Sequence, residues 1–152
     1  MSNLPSSPRD AVAADLPGLL MLEAGFPGDR LSARQYRHHI CNPAARLRVM
    51  IDEARVVASS LCLFRRGSRL ARLYSIVVDP ALRGQGLGVA LLADAEAGAR
   101  ARGCDRLRLE VRADNRAAIA LYGKAGFEPL DRVPGYYQDG AEALRMEKRL
   151  AR

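Results

Sequence analysis

The densest chemical signal in the chain is the stretch Ile76-Val77-Val78-Asp79-Pro80-Ala81-Leu82-Arg83-Gly84-Gln85-Gly86-Leu87-Gly88-Val89, which reads as a strand end, a turn and a glycine-rich entry into a helix. Such an entry gathers several backbone N–H groups where the helix dipole favours negative charge. Its glycines let a phosphate approach the main chain with no Cβ in the way. A pyrophosphate fits there. Two better-known phosphate loops do not: a GxGxxG run starting at Gly84 needs glycine where Val89 stands, and no lysine follows the loop as a P-loop requires. A tight turn entering a close-packed helix is the plainer alternative.

Two residues further along can handle protons. In Arg106–Arg112, Leu107, Leu109 and Val111 fall on one face of a strand and Arg106, Arg108, Glu110 and Arg112 on the other, so the Glu110 carboxylate points away from the hydrophobic side. It reads either as a general base or as a carboxylate paired with Arg108, Arg112 or a cross-strand arginine. Tyr122 offers a phenol that is a neutral donor at working pH, and it reads equally as an aromatic anchor for its helix. Asn115 has a sufficient structural reason to be present as a helix cap. His38 and His39 are adjacent, so on a helix their side chains diverge, and no metal site is expected.

These residues must be positioned by a particular set of elements. After a Ser/Pro-rich start, Asp15 is placed to cap a helix holding Leu16, Leu19, Leu20 and Leu22, with Pro17 in its first turn. The turn-rich run Gly25-Phe26-Pro27-Gly28-Asp29 interrupts it, and Ser32 begins a second helix that Pro43 keeps short. Residues 46–51, 56–65 and 70–79 are rich in Val, Ile, Leu and Tyr, and the short spacers between them imply antiparallel hairpins. A helix is expected over 86–102, with Leu87, Leu91, Ala95 and Ala99 as a narrow stripe for close packing and Gly103 as its stop. Asp114 or Asn115 caps another helix through Ala125, stopped by Gly126 with Phe127 as the contact after it. Strands at Glu128–Val133 and Ala143–Arg149 enclose the loop Pro134-Gly135-Tyr136-Tyr137-Gln138-Asp139-Gly140.

With 152 residues, 49% hydrophobic and 27% charged, the chain is expected to form one domain over 1–152 with a real core. No apolar run approaches membrane-spanning length and the N-terminus lacks the order of a secretion signal, so no membrane association and a cytoplasmic location are expected. Cys41, Cys62 and Cys104 form no CxxC pair and read as reduced, mostly buried side chains. The net charge is +7, and since Lys124 and Lys148 are the only lysines among 24 basic residues, 22 are arginine. They are spread from Arg9 to Arg152 with only 5% aromatics, which argues against nucleic-acid binding and for a general attraction to anionic ligands.

The loop, in which Arg83, Gly86 and Gly88 match the pattern (Arg/Gln)-x-x-Gly-x-(Gly/Ala), resembles that of the GNAT superfamily of N-acetyltransferases. The resemblance continues through Leu109-Glu110-Val111-Arg112, Asn115, Ala118-Ile119-Ala120-Leu121-Tyr122 and Gly126-Phe127, and covers roughly the second half of the chain from Leu70 onward. It is most similar to the ribosomal-protein-alanine, protein N-terminal branch, although the run from Phe26 to Ser32 lacks the tryptophan often found there.

The resemblance implies an α/β (α+β) domain with a mixed, largely antiparallel sheet flanked by helices. It implies acetyl-CoA as cosubstrate and no metal. Arg83, Gly84, Gln85, Gly86, Leu87, Gly88 and Val89 would grip the pyrophosphate, main-chain groups of Ile76, Val77 and Val78 would bond the pantetheine and acetyl carbonyl, and Asn115 the pantetheine arm. Glu110 would be the base and Tyr122 the acid. Phe26, Tyr136 and Tyr137 would wall the acceptor groove. The implied activity is acetyl transfer to a primary amine, in first place the α-amine of a protein or peptide, by a monomer or homodimer. A small-molecule amine acceptor and a non-catalytic acyl-CoA-binding module are the alternatives; the joint presence of Glu110 and Tyr122 argues against the latter.

Overall fold

The computed structural model describes residues 5–25 and 30–151; Phe26 lies outside them. Its elements run β1 (Arg9–Asp10), α1 (Leu16–Ala24), α2 (Ala33–Cys41), β2 (Ala45–Asp52), β3 (Arg55–Phe64), β4 (Leu70–Val78), α3 (Leu87–Ala101), β5 (Arg106–Arg112), α4 (Arg116–Lys124), β6 (Glu128–Val133) and β7 (Ala143–Arg149). The strands form one sheet in the order β1-β2-β3-β4-β5-β7-β6. Only β4 and β5 pair in parallel, as the crossover through α3 requires. This is the mixed, largely antiparallel sheet with flanking helices that the family resemblance implies.

Local chemistry accounts for most of the helix ends. Ser32 closes a reciprocal cap on α2: its Oγ accepts from the Gln35 N–H at 3.1 Å while Gln35 Oε1 accepts from the Ser32 N–H at 2.8 Å. Asn115 Oδ1 accepts from the Ala118 N–H at 3.1 Å and so starts α4. Gly126, at φ +101°, ends that helix and turns Phe127 back edge-on to Tyr122 with ring centroids 5.8 Å apart. Asp15 behaves differently from expectation. It stands at the start of α1, but its carboxylate reaches backward to the Val12 N–H at 2.8 Å and to the Arg9 guanidinium at 2.8 Å, because a short 3-10 turn precedes the helix and carries the open donor. Cys62 and Cys104 are buried as expected, whereas Cys41, in the last turn of α2, is exposed.

The sheet separates two layers. On one face Leu19 of α1, Leu31 ahead of α2 and Tyr36 of α2 are buried against Leu47, Val49 and Leu61. On the other, Leu92, Ala95 and Ala99 of α3 and Tyr122 of α4 pack on Ala71, Leu73, Leu107, Leu109 and Met146. The alternation of β5 thus sends its leucines toward α3 and Glu110 toward the α1/α2 side.

The α3 layer is also held by charge. Asp94 accepts from Arg46 at 2.8 Å and from Arg48 at 3.0 and 3.1 Å, tying α3 to β2. Gly98, one turn on, makes room: a Cβ there would lie 2.5 Å from the Arg46 guanidinium carbon. Burial disfavours the Asp94 carboxylate, but hydrogen bonds from Arg46 and Arg48 override it and hold the group below its ordinary range. A depressed folded pKa contributes stability above the unfolded value near 3.9 that disappears as pH falls through the folded one. Asp94→Asn is therefore expected to cost about 2 kcal/mol at pH 7, with the deficit shrinking below about pH 4. Urea denaturation at pH 7 and pH 3 checks this, and an equal deficit at both would remove the charge from the account.

Candidate functional site

The site begins where β4 and β5 part. Their parallel pairing runs from Leu70↔Arg106 to Leu73↔Leu109, yet β4 continues to Val78 and β5 to Arg112. The divergence starts at a bulge: β3 pairs Cys62 with Leu73 and Leu61 with Ser75, leaving Tyr74 as the extra residue. A bulge bends its strand and sharpens the twist, which carries Ser75 to Val78 away from β5 and leaves their edge toward it without a ladder partner. Glu110 is the first residue of β5 beyond the paired segment.

On one side of this opening lies a cavity of about 680 Å³ lined by Ile76 and Val78 of β4, Arg83, Gly84 and Gly86 to Val89 of the glycine loop, Asn115 at the cap of α4, and Leu121 and Tyr122 within it. Gly86 is the N-cap of α3 at φ +83°, with no side-chain cap bond, and the first helical hydrogen bond is that of the Ala90 N–H to the Gly86 carbonyl. The N–H groups of Leu87, Gly88 and Val89 therefore have no partner inside the helix and point out of its positive end. Asp79 shapes the approach by accepting the Ala81 N–H at 2.9 Å. Of the residues expected to hold the cosubstrate, Val77 and Gln85 do not line this cavity; Val77 lines the neighbouring one. Tyr122 is 9% exposed, and burial pushes its phenol up to about 12, so it keeps its proton at neutral pH.

On the other side lies a cavity of about 480 Å³, and Ile76 lines both. Its walls include Tyr74 to Val77 of β4, Glu110 of β5, and Tyr136 and Tyr137 of the β6–β7 loop. The two tyrosines meet edge to face with centroids 4.9 Å apart. Burial pushes both phenols up, Tyr137 to about 12. The Glu110 side chain is 8% exposed and lies 3.3 Å from Arg72 of β4 and 3.7 Å from Arg145 of β7. Of the pairings open to it, the cross-strand ones are realised, because Arg108 is taken by Glu147 at 2.8 Å and Arg112 by Asp139 at 2.8 Å. Ion pairing and a place in the cavity coexist in this one carboxylate.

Sequence reasoning missed Glu23 of α1, which lines the same cavity. It is 8% exposed and accepts the Leu31 N–H at 2.7 Å, and burial, with this carboxylate nearby, raises the pKa of the buried Tyr36 hydroxyl. A signal was present: Glu23 occupies the stripe position four residues after Leu19 and seven after Leu16, where an apolar residue belongs. His38 and His39 sit on α2 with rings 5.5 Å apart rather than diverging, and among the described residues no group of three or more His, Cys, Asp or Glu is gathered for a metal. Among the same residues no helix is long and apolar enough to cross a membrane.

Comparison with known proteins gives this arrangement a family. Over 74 residues, 47% of this chain and 50% of the relative, the sequence is 47% identical to the [Ribosomal protein bS18]-alanine N-acetyltransferase of Escherichia coli. Over 122 residues, 80% of this chain and 35% of the relative, it is 35% identical to the mycothiol acetyltransferase of Jonesia denitrificans. The chain thus spans half or less of the length of these curated relatives. The crystal structure of the ribosomal-protein-S18-alanine N-acetyltransferase from Escherichia coli superposes with a TM-score of 0.85 at 28% identity, covering 98% of this chain and 96% of that one. Residues 16–127 match the Acetyltransferase (GNAT) family, and the chain belongs to it.

Proposed function

We propose that the protein transfers the acetyl group of acetyl-CoA to a primary amine, and that the acceptor is the α-amine of a protein or peptide. The observation that carries this reading is the junction at Ile76, where a cavity floored by open helix N–H groups meets a cavity holding an almost buried carboxylate. The N–H groups of Leu87, Gly88 and Val89 take the pyrophosphate, with Arg83 at the loop adding positive charge. The pantetheine lies in the gap beyond Leu73, where Ile76 and Val78 offer main-chain groups and Asn115 lies alongside. The thioester then reaches the junction, and the amine enters from the Tyr136 and Tyr137 side.

Attack requires a neutral nitrogen. Glu110, directly or through a water, first takes a proton from the ammonium; the neutral nitrogen then bonds to the acetyl carbon, and collapse of the tetrahedral intermediate breaks the carbon–sulfur bond while the second nitrogen proton passes through water to the departing thiolate. Tyr122 donates a hydrogen bond to that sulfur. With its phenol at about 12, full proton transfer to a thiolate is uphill, so its contribution is the stabilisation of developing charge. The choice of acceptor has a physical basis as well. An α-amine of pKa near 8 is neutral to roughly one part in ten at pH 7, a lysine amine to roughly one part in 2,500, and a carboxylate base suits the first far better.

A small-molecule amine is the second reading, favoured by the likeness to a mycothiol acetyltransferase. Both are tested by offering acetyl-CoA with a free-terminus peptide, the same peptide N-terminally blocked but containing lysine, a polyamine and an aminoglycoside, with products read by mass spectrometry. Acetylation of the free-terminus peptide alone is expected. Turnover of the small amines without turnover of that peptide would replace the protein acceptor by the small-molecule one.

A further inference from the structure

Beside Glu110 stands a side chain that the reaction scheme does not use. Ala71 and Leu73 face the α3 layer, so Arg72 between them faces the acceptor side together with Glu110. In the sheet Arg72 stands directly opposite Arg108, two residues short of Glu110, and Arg108 is turned away to Glu147. This frees the Arg72 guanidinium to run diagonally. Its Nη2 lies 3.3 Å from Glu110 Oε1 and donates to the Tyr136 hydroxyl at 2.5 Å. The Arg72 guanidinium carbon also lies 5.6 Å from the centroid of the Tyr74 ring, the bulge residue at which β4 turns away.

A single nitrogen thus joins the carboxylate in the floor of the acceptor cavity to the loop that walls it. From the other side Arg145 approaches Glu110 at 3.7 Å and is itself held at 3.4 Å by Asp131 of β6. The row Asp131, Arg145, Glu110, Arg72, Tyr136 alternates in charge and ends on the loop.

We infer that Arg72 is a positioning residue for the acceptor: it fixes the Glu110 carboxylate and the Tyr136 loop relative to each other, so that the base and the groove wall are set as one unit. This rests on the reading of Glu110 as base. Planarity matters to it. The two protons of this planar nitrogen point in fixed directions, one toward the carboxylate and one toward the hydroxyl, whereas a lysine ammonium at the same site supplies the charge as a flexible point.

Double-mutant cycles on the full chain test the inference, with steady-state kinetics for a free-terminus peptide and for acetyl-CoA measured separately. Arg72→Met is expected to raise the acceptor KM about tenfold and to lower kcat, leaving the acetyl-CoA KM near the parent value. Tyr136→Phe cuts the same hydrogen bond from the loop side, so it should raise the acceptor KM as well and add little when combined with Arg72→Met. In the Glu110→Gln background Arg72→Met should no longer lower kcat, since no carboxylate remains to be positioned. Arg72→Lys, which keeps the charge, should recover part of kcat and little of the acceptor KM. Because the Arg72 side chain is 40% exposed, these variants are expected to fold, and circular dichroism checks that they do.

Full additivity in both cycles would overturn the inference, as would equal rises in the two KM values. A Glu110→Gln variant with parental kcat would instead remove the base, while the Arg72–Tyr136 cycle would still report on the loop.

Discussion

Replacing Glu110 by glutamine is expected to lower kcat at neutral pH by about 100-fold or more, the scale of a lost general base, with acetyl-CoA affinity unchanged. The substitution keeps the side chain's shape within its wall of Arg72, Arg145 and the loop tyrosines, and removes its negative charge together with its capacity to take a proton. The coenzyme cavity is lined by other residues, so calorimetric binding of acetyl-CoA should not register the change. The sign with pH follows from the acceptor. Below about pH 8 an α-amine is mostly protonated and needs the base; above it the neutral fraction approaches one and the variant should recover toward the parent. Rate measurements from pH 6.5 to 9.5 decide this. Parental activity at pH 7 would return Glu110 to the ion-pair role its two arginines already give it, and a loss constant across the range would assign it to geometry rather than proton transfer.

Local pattern carried the sequence far in the second half of the chain. The alternation in Arg106–Arg112 placed Glu110 on the polar face, and the glycines bounding α3 and α4 marked their ends, because a strand's faces and a helix's cap are decided by residues one to four apart. What escaped was decided at longer range. That β7 inserts between β5 and β6 depends on which edges are left open, and no local periodicity encodes it. The bulge at Tyr74 is visible only in the register with β3, yet it creates the gap on which the site depends.

Partners were harder to read than candidates. The family resemblance implies Tyr136 as a groove wall, but its bond to Arg72 spans 64 residues and joins two elements that no motif links. One of the two readings of Glu110 pairs it with an arginine, and the sheet decides which: diagonal Arg72 and opposite Arg145. Asp15 was misjudged because a capping carboxylate looks the same in sequence whether it serves the helix after it or the turn before it. Glu23 escapes the sequence reading, although its position in the apolar stripe marks it for burial.

The coenzyme cradle gives the other large effect, and it can be separated from backbone strain. Gly86 adopts φ +83°, a region that costs a β-branched residue roughly 1–3 kcal/mol, while a Cβ built there meets nothing within 4 Å. Gly103, just beyond the other end of α3, has φ +82° and equally open surroundings. Valine at either position therefore imposes similar strain on the same helix, but only at position 86 does the new side chain stand where the N–H groups of Leu87, Gly88 and Val89 open toward an anion. Gly86→Val is expected to weaken acetyl-CoA binding by about 30-fold or more, the loss of a phosphate from a helix N-terminus together with its close backbone approach. Gly103→Val should lower the melting temperature by a similar amount and leave affinity within about twofold. Gly88 allows a milder check, since its φ is helical and an alanine Cβ there touches only Leu121 Cδ2 at 3.4 Å; Gly88→Ala should narrow the cradle without strain. Calorimetry on all three variants compares them directly. If Gly86→Val and Gly103→Val lose affinity equally, the loss belongs to α3 as a whole and the pyrophosphate is not held at this loop; if neither loses it, the anion binds elsewhere.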